Sequence, residues 1–168
     1  MNVEEKNKIK EMLEDRVKTA IKLRFSSESL DSNAAPSEVL EELLKVRRRL
    51  DRLEVVLLEV SAIRSQLAIE YALAKSVSED AWDTETRESR KSKAAYGNDY
   101  SSAKEREAEI RPKIFKQIRE ERMAEEVSTA ANEALKAIRI AYNGLDSTRQ
   151  DLLAWLKNTS YESYLERQ

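Results

Sequence analysis

The chain has 168 residues, of which 37% are charged, with 30 basic and 32 acidic side chains and a formal net charge of -2. Two glycines, two prolines, no histidine and no cysteine exclude imidazole and thiolate chemistry, zinc sites built on those ligands, glycine-rich phosphate loops and disulfides. Such a composition suits long solvated helices with a narrow apolar stripe, gives no global field toward nucleic acid or membrane, and contains no apolar run near the roughly 20 residues of a membrane span.

Asn2, with Glu5 three residues on, reads as a capping box. Ile9, Leu13, Val17, Ile21 and Phe25 then recur every four residues and predict an amphipathic helix over residues 1–25. The serine-rich stretch "SSESLDSNAAP", residues 26–36, reads as a linker, and Pro36 suits the first turn of the next helix.

From residue 37 the spacing becomes regular. Val39, Leu43, Val46, Leu50, Leu53, Leu57, Val60, position 64, Leu67, Tyr71 and Ala74 alternate steps of four and three, the mark of a coiled-coil seam. Val55, Val56, Leu58 and Ile63 widen the stripe beyond what one partner helix covers, so several helices are expected to converge there. The seam member at position 64 is Arg64. Residues 76–111 hold few large apolar side chains beyond Val77, Trp82, Tyr96, Tyr100 and Ile110. "YGND" at 96–99 is a turn signal, Ser102 with Glu105 is a second capping box, and Pro112 either kinks a helix or marks a break near 111.

A second seam follows: Ala131, Leu135, Ile138, Tyr142, Leu145, position 149, Leu152 and Leu156, with Arg149 as its charged member. Gly144 could end one helix while Ser147 and Gln150 start another, but the heptad phase runs through it and favours a continuous helix. The fold expected is all-α: a long antiparallel helical hairpin with coiled-coil seams over 37–168, its polar tip at 76–111, plus the N-terminal helix. A turn at 97–101 sets Arg64 near residue 134, opposite Ser128 and Asn132; a turn spanning the whole tip to 111 moves that register by about three helical turns.

A charge in a seam lowers stability and can fix register and oligomeric state, unless its methylenes pack and its head reaches water. Arg64 and Arg149 are therefore expected, with Val55, Val56, Leu58, Ile63 and the aromatic end (Trp155, Tyr161, Tyr164), to form the interface of a homo-oligomer. Glu38, Glu41 and Glu42 lie on adjacent turns as an all-carboxylate magnesium site requires. Lys45, Arg47, Arg48 and Arg49 come directly after, and ion pairs along the helix account for them better. No cofactor and no enzymatic activity are expected. For "KVRRRLDR" (45–52), flanking acids, with Asp146 or Asp151 across the hairpin, point to structural ion pairs. "RESRKSK" supplies Arg87, Arg90, Lys91 and Lys93, with Tyr96 and Tyr100 following and Trp82 before. Cations that track phosphates beside rings that stack bases make a candidate single-stranded DNA site; a solvated tip with locally packed aromatics is the plainer account.

"EALKAIRIAYNGLDSTRQDLLAWL" (133–156) and "SYESYLE" (160–166) resemble the phage recombination mediator family typified by UvsY, in a helix, a serine- and arginine-bearing break, and a closing helix with an aromatic and acidic end. The resemblance implies a ring-like oligomer that binds single-stranded DNA and helps load a recombinase over a single-strand-binding protein. The mixed charge and the N-terminal helix depart from that family, and no residue role is carried over. The competing expectation is a coiled-coil scaffold, adaptor, or viral structural or assembly protein that binds no nucleic acid. "MNVEEKNKIK" lacks an apolar signal core, so the expected location is cytoplasmic, the host cytoplasm if the protein is viral.

Overall fold

Backbone placement is described for residues 3–25, 34–95 and 103–165 of the computed structural model, with side chains described there except at 92–95 and 160–165. Helix α1 spans Val3–Phe25, α2 Pro36–Ala95, α3 Ala103–Ile110 and α4 Phe115–Leu165, with no strand among the described residues. The fold is all-α, and α2 packs against α4.

Local chemistry sets the boundaries. Helix α1 has Glu4 and Glu5 in its first turn and Lys22 and Arg24 in its last, charges that complement the helix dipole. At the start of α2 the Ala35 carbonyl accepts the N–H groups of Glu38 (2.9 Å) and Val39 (3.1 Å), while Glu38 Oε2 accepts the Ala35 N–H at 2.9 Å. Pro36 occupies the first helical position, where its missing N–H costs nothing. Pro112 separates α3 from α4: the Ile110 carbonyl accepts from both Lys113 (2.9 Å) and Ile114 (3.3 Å), and α4 begins at Phe115. Helix α4 then runs unbroken through Gly144.

The chain forms two compact units, one of residues 1–10 and 64–131, the other of residues 11–63 and 132–168. In the second unit α1, α2 and α4 share a core of Leu13, Ala20, Val39, Val46, Leu53, Val60, Leu135, Ile138 and Leu145. Val39, Val46, Leu53 and Val60 keep a seven-residue step, as the seam predicts. The α1 stripe is different. Leu13 and Ala20 are buried, whereas Ile21 and Phe25 are 45% and 70% exposed. A four-residue step overshoots a helical turn by roughly 40°, so four such steps carry Phe25 from the face of Ile9 nearly to the opposite side. A seven-residue step from Leu13 reaches Ala20 instead.

The first unit has a thinner core. On α2 the buried positions are Leu67, Ser78 and Ser89; Ile110 on α3 and Ile114 in the turn are buried, as are Ala124, Val127, Ser128 and Ala131 on α4. The α2 step is now eleven residues, whose drift on a helix is opposite in sense to that of seven. Ser89 Oγ donates to Glu109 Oε1 at 2.7 Å, and Lys113 Nζ pairs with Glu85 at 3.3 Å. Partner numbers fall as α2 numbers rise, so this part of the hairpin is antiparallel, and the pairs 89/109 and 85/113 keep the first of the two expected registers; residues 97–101 themselves lie outside the described residues. Most of the segment expected as a polar tip is packed helix. Serines, alanines and two isoleucines close it, because small side chains let helices approach without large apolar residues.

Candidate functional site

The basic cluster lies near the end of α2. Ser89 faces inward, and Arg87 and Lys91, two residues to either side, are turned away from it by roughly 160°. Arg87, Arg90 and Lys91 are all exposed and Trp82 is half-buried. Acidic neighbours are close in the same helix: Asp83 and Glu88 are exposed, and Glu85 is engaged by Lys113. The Lys93 side chain, Tyr96 and Tyr100 lie outside the described residues.

The residues expected at an oligomer interface separate into distinct environments. Val55 and Leu58 are 56% and 64% exposed, whereas Val56 is buried in the core of the second unit. Ile63 and Trp155 are half-buried, and the side chains of Tyr161 and Tyr164 are outside the described set. Arg64 is exposed rather than seated in the seam. Ile63 beside it, three residues after Val60, is half-buried and is the less exposed of the two. Arg149 is half-exposed and bonds Asp146 Oδ1 at 2.7 Å, one turn back.

Further exposed apolar residues on α2 were not assigned to an interface from the sequence. Leu40, Leu44, Ile69, Leu73 and Val77 are each at least half exposed. Spacing from Val55 by helical turns reaches Leu58, Ala62, Gln66, Ile69 and Leu73 in order, a face distinct from the heptad seam. That signal was present but overlaid by the stronger seam.

Carboxylates near the start of α2 serve the helix itself. Glu38 caps it, and Lys45 pairs with Glu41 at 3.2 Å and Glu42 at 3.6 Å. Its contact with Glu41, and then Glu42, raises the Lys45 pKa above the usual lysine value. Glu42 is 7% exposed, with Arg49 Nη1 at 3.8 Å, too long for a hydrogen bond. Lys45 and Arg49 of "KVRRRLDR" thus face acids on their own helix, and Asp146 is engaged by Arg149. Among the described residues no group of three or more carboxylates is arranged to hold a metal ion.

The first unit also has an open cleft of about 670 Å³ between α1, α2 and α4. Ile9, Leu73, Ala74 and Ala124 supply its apolar lining, and Glu5, Lys8, Glu70 and Glu120 its polar lining. Beside it α1 is anchored by Lys6 and Lys10, both bonded to Glu126 Oε2, the latter at 3.2 Å. These two ammonium groups, Lys6 first, hold the Glu126 carboxyl below the usual carboxylate range. The polar part of the cleft lining is thus one ammonium and three carboxylates. Among the described residues no helix is long and apolar enough to cross a membrane. Comparisons with protein-family models, with curated proteins and with solved structures gave no match to this chain.

Proposed function

We propose that the chain is a non-enzymatic helical scaffold that works in the cytoplasm by assembling with copies of itself. One observation carries this reading: seven large aliphatic side chains on α2, from Leu40 to Val77, are at least half exposed. Large aliphatic side chains exposed in such number along one helix are a feature of interaction faces. The absence of histidine and cysteine fits a role in adhesion better than one in imidazole or thiolate catalysis. Sedimentation velocity across the micromolar range tests the reading: a species heavier than one chain is expected, and a compact monomer throughout overturns it.

A second reading is the recombination mediator, which adds single-stranded DNA and a recombinase as partners. Its support is the exposure of Arg87, Arg90 and Lys91 at the end of α2, together with the sequence resemblance to mediators. It requires weak, sequence-tolerant binding of a labelled oligothymidine in fluorescence anisotropy, falling as salt rises. Alanine at Arg87, Arg90, Lys91 and Lys93 should flatten that salt dependence, and alanine at Tyr96 and Tyr100 should weaken binding without changing it. If the unmodified protein does not bind at low salt, the scaffold reading stands alone.

A further inference from the structure

Within the second unit, one side of α2 repeats itself when read backwards. Leu40, Leu44, Arg47, Asp51, Val55 and Leu58 are all exposed, and at roughly 100° per residue they fall within an arc of about 80°. The buried seam positions Val39, Val46, Leu53 and Val60 lie on the other side of the same helix. The steps along the exposed face are four, three, four, four and three. Read from Leu58 they are three, four, four, three and four, so each position meets a counterpart to within one residue. Both ends of the face are aliphatic, and its centre holds one cation and one anion. Neither Arg47 nor Asp51 has an ion-pair partner among the described residues.

We propose that two copies of the chain meet on this face, antiparallel about a two-fold axis near position 49, so that Arg47 of each pairs with Asp51 of the other. The proposal rests on the self-association reading and gives it a geometry. Leu44 then faces Val55 and Leu40 faces Leu58, and each contact occurs twice. All six residues lie on one stretch of helix about 27 Å long inside one compact unit, which therefore carries the whole contact. A parallel pairing would set Arg47 against Arg47 and Asp51 against Asp51, so charge selects the antiparallel one. A face that complements itself in both spacing and charge fits a second copy of the same chain in particular.

Charge reversal in the full chain tests the pairing. Arg47→Glu and Asp51→Arg each set like charges together twice per dimer, and each is expected to weaken dimerisation about tenfold. An equimolar mixture of the two variants should regain the original affinity, because each reversed position then meets an opposite charge on the other chain. Every chain in that mixture keeps its own like-charged pair four residues apart, so recovery can only act between chains. Unchanged circular dichroism of the variants checks that folding is intact. A second measurement is independent of charge. The chain has no cysteine, so Leu44→Cys mixed with Val55→Cys should give a disulfide-linked dimer under mild oxidation. Either variant alone should not, its two sulfurs being held roughly 16 Å apart along the helices. If the unmodified protein associates and neither reversal alters it, or the mixture regains nothing, copies meet elsewhere and this pairing is overturned while self-association stands. Cross-linking of either cysteine variant alone as readily as the mixture overturns it too. An unmodified chain that stays monomeric at micromolar concentration removes both the pairing and the reading beneath it.

Discussion

Gly144 on α4 lies under the guanidinium of Arg24 on α1: a Cβ at Gly144 would stand 2.8 Å from Arg24 Nε and 3.1 Å from its Cζ. The missing side chain makes room for the arginine, which also lies 5.1 Å from the centre of the Phe25 ring. The obstacle to a methyl group is thus the far end of a flexible side chain, which can swing toward solvent.

Gly144→Ala should therefore stabilise the protein modestly, by about 0.5 kcal/mol, since the gain from removing a helical glycine exceeds the cost of moving Arg24. In an Arg24→Ala background the same change should yield nearer to about 1 kcal/mol. Urea denaturation of the four proteins decides it. A loss of stability in the single variant would mean that Arg24 cannot move.

Glu42 and Arg49 form a largely buried ion pair whose 3.8 Å separation leaves Glu42 Oε1 and Arg49 Nη1 without hydrogen bonds. Glu42→Ala strands the guanidinium and should cost about 1–3 kcal/mol. Replacing both, as Glu42→Leu with Arg49→Met, should leave stability within about 1 kcal/mol of the original or above it. Thermal melts that rank the double variant below the single one would refute this account.

How far the sequence is legible depends on contrast between neighbouring side chains. The seams around Leu53 and Ile138 could be read because large aliphatic residues repeat every seven against charged flanks. The packing of the first unit could not, because its inward positions include Ser78, Ser89 and Ser128, residues whose hydropathy resembles that of a surface. The α1 face was misread because five apolar residues at steps of four look like a stripe yet spiral around the helix. Arg64 was assigned inward by the rhythm of its neighbours, when Ile63 beside it could make the same contact. Of the candidate site residues, Val55 and Leu58 were expected under converging helices at an oligomer interface and are exposed on the chain itself; Ile69, Leu73 and Val77 emerge only when the α2 helix is followed turn by turn. Links such as Lys6 to Glu126 join residues too distant in the chain for any local pattern to announce.

Acid should loosen that last link. The Glu126 carboxyl titrates below its usual value of 4.5 because Lys6 and Lys10 bond to it. A depressed acid contributes stability that is present above the ordinary value and is lost as pH falls through the folded one. The difference in melting temperature between the protein and its Glu126→Gln variant should thus be present at neutral pH and fade below 4.5. The pair is exposed, so the effect is small and shrinks with added salt. A difference that is the same at neutral and acidic pH excludes the mechanism.

Ser89 tests how tightly α2 and α3 must approach. It is 4% exposed and donates to Glu109. Ser89→Ala removes only the hydrogen bond and should cost about 1 kcal/mol. Ser89→Leu adds volume where there is none and should cost about 1–3 kcal/mol beyond that, forcing the two helices apart. Equal stability of the two variants in chemical denaturation would show that the contact has slack.

A helix with aliphatic residues on more than one side has no unique inside. If α2 rolled about its axis during folding, it would still offer α4 a greasy surface, so hydrophobicity alone is a poor judge of which side is correct. The deciding contacts are the polar ones that only one roll permits: Ser89 to Glu109, Glu85 to Lys113, and Arg16 to Glu59 at 3.1 Å. Weak as they are in stability, they act as proofreaders. Their loss should appear first as a slower, more heterogeneous approach to the native state, and only later as a lower melting temperature.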